Sequence, residues 1–137
     1  MSRELTFSII KPNSVKKNQI GAIIKRFEDE GFKIAAGKIC KLGKDKTELF
    51  YAEHKERPFF GELVSFMTSG PVFLMVLSGE NAVERNRKIM GATDPKKAEP
   101  NTLRALYGDS MGENSVHGSD SAVSAKREIS IFFEPHE

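Results

Sequence analysis

Six consecutive apolar residues, Val72-Phe73-Leu74-Met75-Val76-Leu77, follow directly on the breaker Ser69-Gly70-Pro71. A run with no polar alternation is buried on both faces, and this one is far shorter than the ~20 residues a membrane-crossing helix needs. It reads as a central strand with helices on either side. The other elements have to be arranged around it. A chain of 137 residues is long enough to bury one core without disulfides or metal, and no repeat, low-complexity tract or linker divides it, so a single domain over 1–137 is expected.

Leu5, Phe7 and Ile9 alternate with Thr6 and Ser8, which predicts a half-buried strand stopped by Lys11-Pro12. Ile20, Ile23, Ile24 and Phe27 recur at helical spacing, and Gly31 stands where a left-handed C-terminal cap is needed. Phe32, Ile34 and Ala36 alternate again, with a bulge or bend expected at Gly37, beyond which the apolar parity shifts to Ile39. Asp45 and Glu48 have capping-box spacing for a short helix, Phe60, Leu63, Val64 and Met67 form another helical stripe, and Asn81 with Glu84 is placed to cap a helix ending near Met90. Gly91, Pro95 and Pro100 break the pattern until Thr102, so 91–101 and 108–118 read as long, functional loop sequence. A helix from about Ser121 and a strand from Ile129 to Phe133 complete the chain. The order predicts an α+β fold, a ferredoxin-like split βαβ with a four-stranded antiparallel sheet covered by helices and a long inserted loop.

Twenty-one basic against 19 acidic residues give a net charge of +2, so any basic site is local and a nucleic-acid coat is not indicated. One cysteine, Cys40, and three scattered histidines rule out an intrachain disulfide and the familiar zinc spacings, and a reducing, cytoplasmic setting is expected. Met1 to Leu5 lacks an apolar targeting core. Gly108-Asp109-Ser110-Met111-Gly112 satisfies G-x-S-x-G, but a nucleophile elbow needs a strand before it and a helix after; turn chemistry explains these residues better. No Walker A pattern occurs, and Gly31-Phe32-Lys33 lacks the downstream aromatics of an RNA-binding sheet.

The densest polar segment is Asn114-Ser115-Val116-His117-Gly118-Ser119-Asp120-Ser121. A lone histidine is most often structural, but three features favour chemistry here. Gly118 permits close approach by a bulky ligand, Glu128 lies about three helical turns on and is able to orient the ring, and Lys11, Arg87 and Arg104 sit near predicted element ends where anions bind. With Lys11-Pro12, Arg57-Pro58-Phe59-Phe60, Ser69-Gly70-Pro71-Val72 and Gly91-Ala92-Thr93 in the same order, the segment resembles nucleoside diphosphate kinases over nearly the whole chain.

That resemblance implies transfer of the terminal phosphate of a nucleoside triphosphate to a nucleoside diphosphate through a phosphohistidine, with His117 as nucleophile and Glu128 holding its other ring nitrogen. It further implies that Arg87, Thr93 and Arg104 hold phosphates, that Lys11 and Asn114 touch the ribose hydroxyl and bridging region, that Tyr51 abuts the transferred phosphate, that Phe59 stacks on the base, and that Ser119 supports the site from behind. Mg²⁺ is expected to arrive with the nucleotide, held by phosphate oxygens rather than by protein ligands. A homo-oligomer built from dimers, a tetramer or hexamer, is implied, although a sequence ending at Glu137 lacks the longer tail that braces subunits in some relatives. Three positions depart from the usual pattern: Asn13 replaces an acidic residue, Asn101 replaces a glycine, and Leu106 removes a charge. The competing expectation is a catalytically silent ferredoxin-like module that binds nucleotides or single strands.

Overall fold

The computed structural model describes residues 4–135. Residues 1–3, on which the targeting expectation partly rests, and 136–137 lie outside the described residues. Among the described residues, eleven helices and strands run in the order β1 (Glu4–Ile10), α1 (Pro12–Lys16), α2 (Ile20–Asp29), β2 (Lys33–Cys40), α3 (Lys44–Phe50), α4 (Phe60–Met67), β3 (Val72–Gly79), α5 (Ala82–Met90), α6 (Leu103–Tyr107), β4 (Val116–Gly118) and α7 (Ala122–Phe132), with a 3-10 turn at Ala52–His54. The strands form one antiparallel sheet in the order β2-β3-β1-β4, the α+β architecture expected from the element order.

The apolar run 72–77 lies in β3, an interior strand between β2 and β1. Both faces of the sheet are covered. On one face Phe7, Ile9, Leu74 and Val76 pack with Phe50, Met67 and Phe132 from α3, α4 and α7. On the other, Ile10, Met75 and Leu77 pack with Ile23, Phe27, Ile89 and Leu103 from α2, α5 and α6. This two-sided burial is why β3 carries no polar alternation.

Four expectations need correcting. The terminal strand at 129–133 does not form; α7 continues to Phe132, and the fourth strand is the three-residue segment Val116–Gly118. Ile129, Ile131 and Phe133 do alternate, but Ala125, Glu128, Ile129 and Phe132 share one helical face, and packing of that face decides the outcome. The bulge in β2 falls at Ala35, between Ile34, paired with Leu77, and Ala36, paired with Val76. Gly37 pairs regularly with Met75 beneath the Phe73 ring. Neither predicted capping box forms: α3 is capped at Gly43 without a side-chain bond, and Asn81 has φ 49°, which takes its side chain out of capping position. Glu4 of β1 caps α5 instead, accepting from the Val83 backbone N–H at 2.8 Å. Gly118, finally, lines a cleft, but its missing side chain makes room for α5, since a Cβ there would lie 2.4 Å from Asn86 Nδ2 and 2.7 Å from Met90 Cε.

Other details match. Gly31 has φ +94° after α2, Thr102 caps α6 by accepting from Ala105 N–H, and Asn101 takes the left-handed backbone at φ +70°. Helix α1, with Pro12 in its first turn, was not marked by any apolar period.

Candidate active site

β4 pairs with β1 so that His117 stands opposite Ile9 and shares its face of the sheet. There the imidazole meets the Phe50 ring edge-on at 4.8 Å and 79°, with Phe7 6.1 Å away. Its side chain remains 22% accessible. Nε2 lies 2.9 Å from Glu128 Oε1. A carboxylate accepts, so Nε2 carries the hydrogen and Nδ1 keeps the free lone pair.

The aim of the ring is fixed from behind. Ser119 Oγ donates to the same Glu128 oxygen at 2.7 Å and accepts from the Phe7 backbone N–H at 3.3 Å. A line of contacts thus runs from a central strand through a hydroxyl and a carboxylate to the imidazole, and Glu128 is only 6% exposed. Ser121, not Ser119, is the helix cap, accepting from Ser124 N–H. Burial lowers the His117 pKa despite the opposing hydrogen bond and charge of Glu128, and the Lys11 and Arg104 cations lower it further. The neutral, nucleophilic imidazole is therefore the form present at pH 7.

Cations gather beside it. Lys11 follows β1 at the N-cap of α1, is 7% exposed, and donates from Nζ to Asn114 Oδ1 at 2.9 Å. Asn114 in turn donates from Nδ2 to the Thr93 carbonyl at 3.0 Å, tying two loops together. Burial, and then the nearby Arg104 charge, lower Lys11 to about 7. Arg104 of α6 is held by two carbonyls, Gly91 at 3.1 Å and Val116 at 2.9 Å, and burial followed by the Arg87 charge lowers it to about 10. Among the described residues no carboxylate lies in ion-pair contact with Lys11, Arg87 or Arg104. Asp120, also in the cleft wall, has its pKa lowered first by a hydrogen bond from Ser124 and lies near enough to Arg87 for that cation to lower it further, but three cations without a direct ion pair still favour an anion between them.

A cleft of about 780 Å³ brings the expected residues together: Lys11, Tyr51, Phe59, Arg87, Thr93, Arg104, Asn114, His117 and Glu128 all line it. That is the size of a small-molecule site. Ser119 lies behind the wall, on Glu128. The Phe59 ring is 41% exposed at the mouth, whereas Phe60 packs on the core. Tyr51 is buried with its hydroxyl unpaired, and burial together with the Glu128 charge raises its pKa, so it stays a phenol. Phe50, which seats the imidazole, and Met90, in the wall beside Arg87, were not anticipated. Their residue types look like ordinary core, and the one available hint was Phe50's adjacency to Tyr51. Ser110 of the G-x-S-x-G segment follows α6 in a turn and accepts from Glu113 N–H at 3.1 Å, with no strand leading into it.

Comparison with known proteins points the same way. The family model described as nucleoside diphosphate kinase matches residues 4–137. The chain is 69% identical to the nucleoside diphosphate kinase of Bdellovibrio bacteriovorus over 137 residues, covering all of this chain and 97% of that one. It is 57% identical to nucleoside diphosphate kinase 1 of Protochlamydia amoebophila, again over all of this chain and 97% of the relative. Among solved structures, the Aquifex aeolicus nucleoside diphosphate kinase superposes with a TM-score of 0.96 at 45% identity, covering 99% of both chains. The Halobacterium salinarum enzyme in complex with CDP gives 0.95 at 44% identity, covering 98% of this chain and 90% of that one. A histidine aimed by a buried carboxylate into a cationic cleft, on a chain matched along nearly its whole length, leaves one assignment: the chain belongs to the nucleoside diphosphate kinase family.

Proposed function

We propose that this chain, as one domain over 1–137, moves the terminal phosphate of a nucleoside triphosphate onto a nucleoside diphosphate by two in-line transfers through Nδ1 of His117. In the first, the Nδ1 lone pair forms the N–P bond as the bond from the γ-phosphorus to its bridging oxygen breaks, and the diphosphate leaves with the bonding pair. In the second, a terminal oxygen of the acceptor diphosphate forms the new P–O bond as the N–P bond breaks. The observation that carries the reading is the His117 Nε2 to Glu128 contact, which leaves Nδ1 as the free nitrogen beside unpaired cations. Phosphoryl transfer spreads charge over the equatorial oxygens, so fixed cations and donors matter more than a general base.

In this reading Arg87, Thr93 and Arg104 hold the phosphates, Lys11 and Asn114 reach the ribose hydroxyl and the bridging oxygens, and the Tyr51 hydroxyl donates to the transferred group. Phe59 offers its exposed face to the base, and stacking of this kind accepts any base. Cytidine diphosphate, the ligand of the Halobacterium salinarum structure, is accordingly one expected acceptor. Among the described residues no three His, Cys, Asp or Glu side chains converge on one point. A Mg²⁺ ion arriving with the nucleotide would, in this reading, be held mainly by phosphate oxygens and supply charge neutralisation there. The protein would assemble as a homo-oligomer built from dimers and work in the cytoplasm; among the described residues no helix is long and apolar enough to cross a membrane.

Incubation with γ-labelled ATP should leave label on the protein that survives base and is lost in mild acid, and chasing with a nucleoside diphosphate should move that label to triphosphate. Label that never appears on folded protein would favour the silent nucleotide-binding module.

The buried lysine makes a second prediction. A polyphosphate beside Lys11 favours its ammonium form, so above pH 7, where the free amine predominates, binding has to take up a proton. Nucleotide affinity should level off below pH 7 and fall by up to about tenfold per pH unit above it. Calorimetry at pH 8 in buffers of different ionisation enthalpy should report uptake approaching one proton. A Lys11→Arg variant, charged throughout, should show a flat profile, and a flat profile in the wild type would refute the linkage.

A further inference from the structure

Asn13 follows Lys11-Pro12 in α1, is 7% exposed, and turns its amide toward the loop that forms one rim of the cleft. Nδ2 donates to Asp109 Oδ2 at 2.8 Å and to the Glu113 carbonyl at 2.9 Å, with Ser115 Oγ further off at 3.3 Å. All three are acceptors toward position 13. Asp109 is a carboxylate, Glu113 offers a carbonyl, and Ser115 has committed its hydroxyl hydrogen to the Tyr107 carbonyl at 2.7 Å. A group with at least two hydrogens suits that arrangement, and the amide nitrogen supplies them, leaving its own Oδ1 buried without a partner.

The loop is otherwise self-contained. Asp109 N–H donates to the Glu113 carbonyl at 2.9 Å and Ser110 N–H to the same oxygen at 3.3 Å, closing a tight turn over 109–113. Ser115 has φ +76°, a strained left-handed backbone for a non-glycine residue, and its carbonyl accepts from Lys11 N–H at 2.7 Å. Between the two tied ends lies Asn114, the partner of the Lys11 ammonium. Lys17, one turn along from Asn13, pairs with the other oxygen of Asp109, and the bonds from Lys17 and then Asn13 hold the Asp109 carboxyl below the usual carboxylate range. The same short segment thus grips the rim at two points immediately after supplying Lys11.

Building on the transfer reading, we infer that Asn13 and Asp109 form a latch that fixes the 110–114 rim against α1. Asn13 is a positioning residue: it acts on nucleotide affinity through Lys11 and Asn114 and touches no substrate. An acid at 13 would set acceptor against acceptor and push the rim off α1, while an amide at 109 would still accept from Asn13.

The test is a four-variant cycle on the full chain: wild type, Asn13→Asp, Asp109→Asn and the double variant. In steady-state transfer, Asn13→Asp should raise KM for the nucleoside diphosphate about tenfold with kcat within about threefold, a loss of uniform binding rather than of chemistry. Asp109→Asn should stay within about threefold of wild type. The double variant should recover part of the loss, with KM about threefold below that of Asn13→Asp, because the amide introduced at position 109 donates to the carboxylate introduced at position 13 while the Glu113 carbonyl still faces an acceptor. A KM for Asn13→Asp within twofold of wild type, or a double variant as impaired as Asn13→Asp, would overturn the latch. Amide hydrogen exchange of the nucleotide-free proteins gives a readout independent of turnover. Exchange over 109–115 should quicken in Asn13→Asp and slow again in the double variant, while unchanged exchange would overturn the latch. Should the wild type fail to transfer phosphate at all, the transfer reading falls and exchange still decides the latch.

Discussion

His117→Ala is expected to reduce phosphate transfer by at least about 10⁴-fold while nucleotide binding stays within about threefold of wild type. The expected split follows from how the site divides its labour. In the proposed reading affinity would come from Lys11, Arg87, Arg104, Thr93 and the exposed Phe59 face, all of which line the cleft independently of the imidazole. Chemistry would come from one nitrogen. The other nucleophilic groups near it are poor substitutes: the Tyr51 phenol has its pKa raised by burial and the Glu128 charge, and Glu128 is buried behind the ring. Nor should the truncation unfold the protein, since β4 is held to β1 by backbone pairing and Phe7 stacks on Phe132 at 5.4 Å whether or not an imidazole lies beside them. Turnover by the variant within tenfold of wild type, measured alongside nucleotide affinity and thermal unfolding, would remove His117 from the role of nucleophile.

Much of this site could be read from residue order because its chemistry sits on short polar motifs, while its supporting structure could not. β1, α2 and β3 showed themselves through period and breakers, although β1, read as half-buried, has Thr6 and Ser8 fully buried, while α5 was marked only by the Gly91 breaker and by a capping box that does not form. β4 left no such trace. Three residues with a glycine among them are too few for alternation, and the strand exists because β1, more than a hundred residues earlier, presents an open edge to it. The alternating Ile129, Ile131 and Phe133 imitate a strand more closely than Val116–Gly118 does, although they belong to or follow α7. A sharper sign lay in the same helix. Glu128 occupies a buried position in the stripe Ala125, Glu128, Ile129, Phe132, and a carboxylate in an apolar stripe needs a hydrogen-bonding partner opposite. The latch partners Asn13 and Asp109 are 96 residues apart, and nothing local in either segment points to the other.

Removing that carboxylate should separate two jobs it performs on the imidazole. Glu128→Ala deprives Nε2–H of its acceptor, so the ring loses both its aim and its enforced tautomer, and kcat should fall by about 10²-fold. Glu128→Gln keeps an oxygen able to accept from both His117 Nε2 and the Ser119 hydroxyl, which now contact the same Glu128 oxygen at 2.9 and 2.7 Å. Orientation survives in that variant and charge does not, so the loss should shrink to about tenfold. The pH profile distinguishes charge from aim. Glu128 raises the His117 pKa against the larger lowering by burial, so either substitution lets it drop further. His117 then stays neutral to lower pH, and the acid limb of kcat/KM, where protonation removes the nucleophile, should move downward in both variants, further in Glu128→Ala, which loses hydrogen bond and charge, than in Glu128→Gln, which loses only the charge. A kcat for Glu128→Ala within threefold of wild type, or an acid limb that moves upward, would show that the carboxylate neither aims the ring nor tunes it, and the tautomer that leaves Nδ1 free would need another source.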